Sequence, residues 1–278
     1  MRRLLTAILL SVSLLLAGGC QGYLNVSEEP ELVVEAWIED GGYPVVIVTS
    51  SVTHDELPAD LESLEGHMVR WAKVWMSDGN KTVNLTGVPS DKYFPPYVYT
   101  SSQMRGESGK RYELVVEYGN VRVTGSTVIP ESVPIDYVEL VHDRDSLFNA
   151  YVRFTSPEGT NRYRFFVRLD DGYWAPALFG TFALDSSADE QRRELLRRGY
   201  SYEMRDYVSS FVSGENVELK LCTLNEEMFD YWMEFDNNIF YGRTPFFPAK
   251  SNPIGNLQGA PGYFTGYGCS TTRFTVPR

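Results

Sequence analysis

Leu32-Val33-Val34-Glu35-Ala36-Trp37-Ile38, closing on Asp40-Gly41-Gly42, is the stretch on which the fold turns. A run of seven residues rich in valine, with a tryptophan and no helical period, stopped by a glycine pair, reads as a β-strand. Pro44 to Val52 repeats the pattern with a second β-branched run. Val69 to Met76 alternates large apolar and polar residues and closes on Ser77-Asp78-Gly79-Asn80. Tyr112 to Val116 leads into Gly119-Asn120, and Val121 to Ile129 returns. A Gly-Asn pair between two such runs is a hairpin signal, because both residues tolerate the positive φ that a two-residue turn demands. Short strands at this spacing predict an immunoglobulin-like antiparallel β-sandwich over residues 31–130. The stretch ends at Ile129-Pro130-Glu131-Ser132-Val133-Pro134, where two prolines in five residues predict a joint between two domains.

Residues 131–278 read as a second β-rich domain. Tyr137–Val141, Ala150–Phe154, Tyr163–Leu169 and Val217–Cys222 have strand character, and Thr271–Val276 supplies a last one. Two inserted helices are predicted, near 224–240 and near 187–198. The first starts at a capping-box spacing, Thr223-Leu224-Asn225-Glu226, and carries Met228, Trp232, Phe235 and Ile239 at helical intervals, a stripe for packing on a sheet. The second starts at Ser187-Ala188-Asp189-Glu190 and stops at Gly199; with only Leu195 and Leu196 apolar, it reads as an exposed insertion. Arg192, Arg193, Arg197 and Arg198 would make it a basic spot on an acidic protein, a solvated face by default and a contact surface otherwise. The Gly- and Pro-dense tail from Thr244 to Cys269 reads as a loop packed onto the domain.

At the other end, Arg2 and Arg3 precede an apolar and small-residue run from Leu4 to Ala17. A spanning helix needs about 20 apolar residues. This run is shorter and has the basic, apolar and small-residue order of a secretory signal, residues 1–19. Leu16-Ala17-Gly18-Gly19-Cys20 is similar to the bacterial lipobox, in which the cysteine sulfur is acylated and the chain is cut just before it. Cys20 is therefore the expected lipidation site, with residues 20–30 as a tether of at most roughly 35 Å. Acyl chains contribute about 0.8 kcal/mol per buried CH₂, so two or more hold a protein at a bilayer without a spanning segment.

The chain carries a net charge of -12; removing residues 1–19 takes away two arginines and no acid, leaving -14. That balance repels nucleic acid and anionic lipid, so nucleic-acid binding is not expected. Three histidines, His54, His67 and His142, show no zinc spacing. Asp143, Asp145 and Asn149 echo a calcium loop without its glycine or terminal glutamate. No Gly-x-Ser-x-Gly elbow and no phosphate-cradling glycine loop is present. The expectation is a protein without catalytic residues, metal or cofactor. Cys222 and Cys269 are read as two buried thiols, with a disulfide as the alternative in an oxidising compartment. For recognition, the aromatic run Tyr93-Phe94-Pro95-Pro96-Tyr97-Val98-Tyr99 is the best candidate contact surface, with Tyr93, Phe94, Tyr97 and Tyr99 as its anchors; Tyr200, Tyr202 and Tyr207 form a lesser group.

The lipobox, Val33-Val34-Glu35-Ala36-Trp37-Ile38, the Ile129-Pro130 to Pro134-Ile135-Asp136 joint, Ser251-Asn252-Pro253-Ile254 and Gly262-Tyr263-Phe264-Thr265-Gly266-Tyr267 follow one another in an order that resembles a lipoprotein family of Bacteroidota. That family is catalogued as domain of unknown function 4249. The resemblance spans nearly all of the chain behind the signal. It implies an outer-membrane lipoprotein, facing the cell surface, that serves a TonB-dependent receptor as an accessory in ligand capture or gating. It assigns no ligand residues. An adhesin-like structural module is the alternative, and a hydrolase a more distant one.

Overall fold

The computed structural model describes residues 31–51, 65–170, 172–201, 206–242 and 253–278. The signal segment, Cys20 and its tether, His54, Tyr202, and the tail through Asn252 lie outside the described residues. Seven strands come from the first half: β1 (Leu32–Glu39), β2 (Val45–Ser50), β3 (Lys73–Ser77), β4 (Thr82–Pro89), β5 (Tyr97–Thr100), β6 (Arg111–Tyr118) and β7 (Val121–Val128). The second half supplies β8 (Ile135–Arg144), β9 (Leu147–Ser156), β10 (Gly159–Leu169), β11 (Ala175–Ser186), β12 (Glu190–Leu196), β13 (Gly199–Ser201), β14 (Asp206–Val208), β15 (Phe211–Val212) and β16 (Asn216–Thr223). Helix α1 (Glu226–Gly242) and strand β17 (Gly262–Thr275) complete the order.

The protein is mainly β, but the strands are arranged otherwise than expected. One eleven-stranded sheet runs β11-β10-β16-β17-β1-β2-β5-β4-β3-β6-β7 through both halves, and β1 pairs with β17 in parallel. All seven strands of the first half thus share one hydrogen-bonded sheet, where two packed sheets of an immunoglobulin-like sandwich were anticipated. This part of the sheet curls round a core of Val34, Ala36, Ile38, Val46, Met76, Leu114 and Val123, closed by Phe264 from β17. A second core gathers Phe154, Phe165, Leu196, Phe211, Leu219 and Val276. The proline-rich joint passes from one to the other: Ile129 is buried in the first, Val133 in the second. The Gly119-Asn120 hairpin forms, with Tyr118 opposite Val121 and Gly119 at a φ of 57°.

Strand β17 corrects the reading of the tail as a loop. Its glycines permit an approach no other residue allows: a Cβ on Gly266 would stand 2.7 Å from the Val128 carbonyl oxygen, and one on Gly268 would strike that of Pro130. The even positions therefore lie against β7, where the Thr127 hydroxyl accepts the Gly266 amide at 2.8 Å. The odd positions Tyr263, Tyr267 and Cys269 face the helix.

A second correction concerns residues 187–198. They form no helix; Glu190–Leu196 is β12, paired antiparallel with β9 from Glu190 opposite Ser156 to Leu196 opposite Ala150. Cross-strand bonding to β9 and burial of Leu196 override the helical propensity of Glu, Gln, Arg and Leu. The one α-helix among the described residues is α1. Its cap is Asn225, not Thr223: the Asn225 side-chain oxygen accepts the Met228 amide at 3.0 Å, two residues later than the capping-box reading placed it.

Candidate functional site

The inner face of β1 buries Leu32, Val34, Ala36 and Ile38. Because successive strand residues point to opposite sides, Glu35, Trp37 and Glu39 must all emerge on the other face. There they floor a cleft of about 720 Å³. Val45 and Ile47 of β2 extend the floor; Tyr93 and Phe94, from the β4–β5 loop, stand on one side. Trp174, Phe166 and Arg168 come from the second half, and Tyr231, Trp232 and Phe235 of α1 roof the far side with Tyr263 and Tyr267 of β17. The rings pack edge to face: Trp37 against Tyr93 at 5.5 Å between centroids, Tyr231 against Trp232 at 5.3 Å, Phe166 against Trp232 at 5.8 Å.

A buried ion pair seats the helix that forms the roof. Arg164 of β10 has no exposed surface, and its guanidinium donates to the two Asp236 carboxylate oxygens at 3.1 and 3.3 Å. The same group lies 4.0 Å from the Trp232 ring centroid and also donates to the Thr181 hydroxyl. Trp232 in turn donates its indole N–H to the buried Tyr267 hydroxyl at 3.0 Å. Beneath the helix, Cys222 and Cys269 stand directly opposite each other on β16 and β17, 4.2 Å apart at Cα, and are joined by a disulfide, the alternative to the two thiols anticipated.

The charges lining the cleft differ in how they are matched. Glu39 accepts from Lys220 at 2.6 Å, and Lys220 also sits 4.5 Å from the Trp174 ring centroid. Arg168 donates to Glu218 at 2.7 Å, and Glu218 is further bound by Arg273. Glu35 has no hydrogen bond or ion pair among the described residues. It keeps some accessible surface because it faces the cleft, yet protein surrounds it, and this burial raises its carboxyl pKa above the usual carboxylate value. Tyr231, Tyr263 and Tyr267 are all raised by burial; the Glu35 charge pushes the first two further up.

Of the aromatic run singled out in the sequence, the structure brings Tyr93 and Phe94 to the cleft and takes Tyr97 and Tyr99 away from it. Tyr99 is buried against the first core, with its hydroxyl donating to the Val69 carbonyl at 2.7 Å. Tyr97 packs edge-on against Tyr99, its hydroxyl on the Arg70 carbonyl at 3.2 Å. The four arginines do not form one basic face: β12 sends Arg192 and Arg193 to opposite sides and ends before Arg197 and Arg198. Arg192 pairs with Glu190 at 2.8 Å, Arg193 with Glu139 at 2.9 Å, and Arg198 with Glu215 at 2.8 Å, while Arg197 lies 5.9 Å from the Phe179 ring centroid. Glu35, Trp37, Trp174 and Tyr231 were not singled out. The signal for the first two was present: an acid and a tryptophan alternating with a wholly apolar face.

A second hollow, about 820 Å³ with polar and apolar walls in equal measure, lies between β6, β7 and α1, with Glu113, Glu227, Asp230 and Glu234 beside Leu114, Met228 and Ile254. Among the described residues no group of three or more His, Cys, Asp or Glu side chains is placed to hold a metal ion. Asp145 sits at the β8–β9 turn with a φ of 48°, and its carbonyl meets the His142 ring at 2.9 Å.

The family model for a domain of unknown function, DUF4249, matches residues 23–273, and the chain belongs to that family. No curated protein matches the chain closely enough to add to this.

Proposed function

From a chain of this family that carries this cleft, we infer a ligand-capture lipoprotein. It is acylated on Cys20, held at the outer membrane on a short tether, and works beside a TonB-dependent receptor without catalysing a reaction. The single observation that carries the reading is the cleft itself. Its volume of about 720 Å³ falls within the roughly 300–1,000 Å³ of small-molecule sites, and it has the aromatic lining and the convergent polar groups such sites share. A cleft walled from both halves of the chain also suits hand-over, since a small shift between α1 and the β4–β5 loop changes its width. The Cys222–Cys269 bridge accords with an exported protein, because disulfides persist in oxidising compartments. The lipobox-like Leu16–Cys20 stretch and the chain's resemblance to a lipoprotein family associated with such receptors are what support the location and the partner.

The test is recovery of the lipid-anchored chain from detergent-solubilised membranes. An outer-membrane barrel should co-purify with it, and intact-mass analysis should show a chain that begins at an acylated Cys20. A chain that co-purifies with no barrel, or whose Cys20 is unmodified, contradicts this function.

A further inference from the structure

The cleft contains one acid that the protein itself does not neutralise. Glu35 sits at the middle of β1, opposite Tyr263 on one neighbouring strand and Ile47 on the other, so it projects between a tyrosine ring and an aliphatic wall. Tyr231 reaches over it from α1, 5.1 Å from Tyr263 between ring centroids, and Trp37 follows two residues along the same face. Glu35 keeps some accessible surface on the cleft, and a ligand that covered it would take the carboxylate out of water, which is unfavourable unless the ligand supplies the missing partner.

Resting on the reading of this cleft as a ligand site, we propose that it receives an organic cation, an ammonium or alkylammonium group borne on an apolar or aromatic body. Glu35 is its counter-charge, and the rings of Trp37, Tyr231 and Tyr263 are its walls. Ring faces carry negative quadrupole charge and attract such cations, most strongly when water is excluded. An anion is disfavoured because two of the three lining cations are committed, Lys220 to Glu39 and Arg168 to Glu218, and the third, Lys92, is an exposed residue of the β4–β5 loop. A divalent metal would exchange its hydration shell for a single carboxylate among rings, whereas hard cations need six or more oxygens.

The charge state gives the proposal its own signature. Glu35 must be ionised to hold a cation. The titratable groups that face it are Tyr231 from α1 and Tyr263 from β17, with Tyr267 further along opposite Glu39, all raised above the ordinary tyrosine value and so neutral throughout the acidic and neutral range. Tyr93 from the β4–β5 loop is raised as well, and the Glu39–Lys220 and Arg168–Glu218 pairs are internally matched. Affinity for a cation therefore rises with pH through the elevated Glu35 pKa and then levels, with one proton released per ligand in the rising limb.

Tryptophan fluorescence and calorimetric titration of the full chain with three probes test this: benzyltrimethylammonium, its neutral carbon analogue neopentylbenzene, and phenylacetate. The parent should prefer the cation over the neutral analogue by at least about tenfold, equivalent to roughly 1.4 kcal/mol. Glu35→Gln should erase that preference with no loss of melting temperature, and Trp37→Leu should weaken cation binding several-fold. Equal binding of cation and neutral analogue by the parent, or a cation preference that survives Glu35→Gln, overturns the assignment of ligand class and leaves the cleft as a binding site. Tighter binding of phenylacetate overturns it in the same way. Binding of none of the three overturns it as well, while the receptor reading stands or falls separately on the membrane pull-down.

Discussion

Arg164 and Glu35 both adjoin the aromatic cluster of α1 and β17, Arg164 at the Trp232 ring and Glu35 opposite Tyr263, and the protein treats the two charges differently. Arg164 is fully buried and answered by both oxygens of Asp236, by Thr181 and by the face of Trp232. Glu35 stands in the cleft with no such answer among the described residues. The first arrangement is structural: it pins α1 to β10 and so fixes the roof of the cleft. The second is a deficit in the folded chain, sited where a ligand has room to correct it. A charge matched internally reports on how the fold is held; a charge left unmatched in a cavity reports on what the cavity is for.

Breaking the matched side should have the largest effect. Asp236→Ala leaves Arg164 buried without its partner, and removal of one member of a buried pair destabilises by about 3–5 kcal/mol. Urea unfolding should show that loss, and replacing both residues together, Arg164→Met with Asp236→Leu, should recover most of it. If the single and double variants lose equal stability, the pair is not what holds the helix.

The disulfide comes next, because it closes the segment that contains α1 and thereby seats both Asp236 and the aromatic roof. For a sequence separation of 47, bridging contributes roughly 4 kcal/mol in the chain-entropy view, with measured values more often about 2–4. Cys222→Ser with Cys269→Ser should lower the urea midpoint accordingly and increase hydrogen exchange first in α1. Equal exchange in α1 with and without the bridge would separate the helix from it.

The smallest effect is expected at a solvated pair, which serves as the control. Arg193, then Arg153, hold the Glu139 carboxyl down at about 2. A lowered acid contributes stability that is present above its unfolded pKa and is lost as pH falls through the folded value. Arg193→Ala should therefore leave the neutral-pH melt nearly unchanged and make acid unfolding begin at a somewhat higher pH. A large loss at neutral pH would mean that exposed pairs matter here as much as buried ones.

Much of the strand content was legible from the residues, because Val33-Val34, the Gly119-Asn120 turn and the alternation before Ser77 are local signals. Helix α1 was legible from the spacing of Met228, Trp232 and Phe235. What was hidden is what depends on distant partners. Glu190-Gln191-Arg192-Arg193-Glu194 has the composition of a helix and becomes a strand because β9 offers it a ladder. Gly266 and Gly268 look like loop residues until β7 is laid against them. The site was half visible: Tyr93 and Phe94 stood out as clustered aromatics, but Tyr97 and Tyr99 looked the same and turned inward. Glu35 gained its meaning only when residues some 200 positions away, Tyr231 and Tyr263, came to lie beside it.

That Glu35 is a carboxyl without a partner, surrounded by protein, is tested most directly by melting. An acid with a raised folded pKa contributes stability in full below its unfolded pKa and loses it as pH rises through the folded value. Glu35→Gln removes that loss while keeping the shape, so the variant should melt above the parent at neutral pH and converge with it at acidic pH. A variant that melts at or below the parent at neutral pH would show that the carboxylate is already satisfied in the folded chain, and would contradict the account.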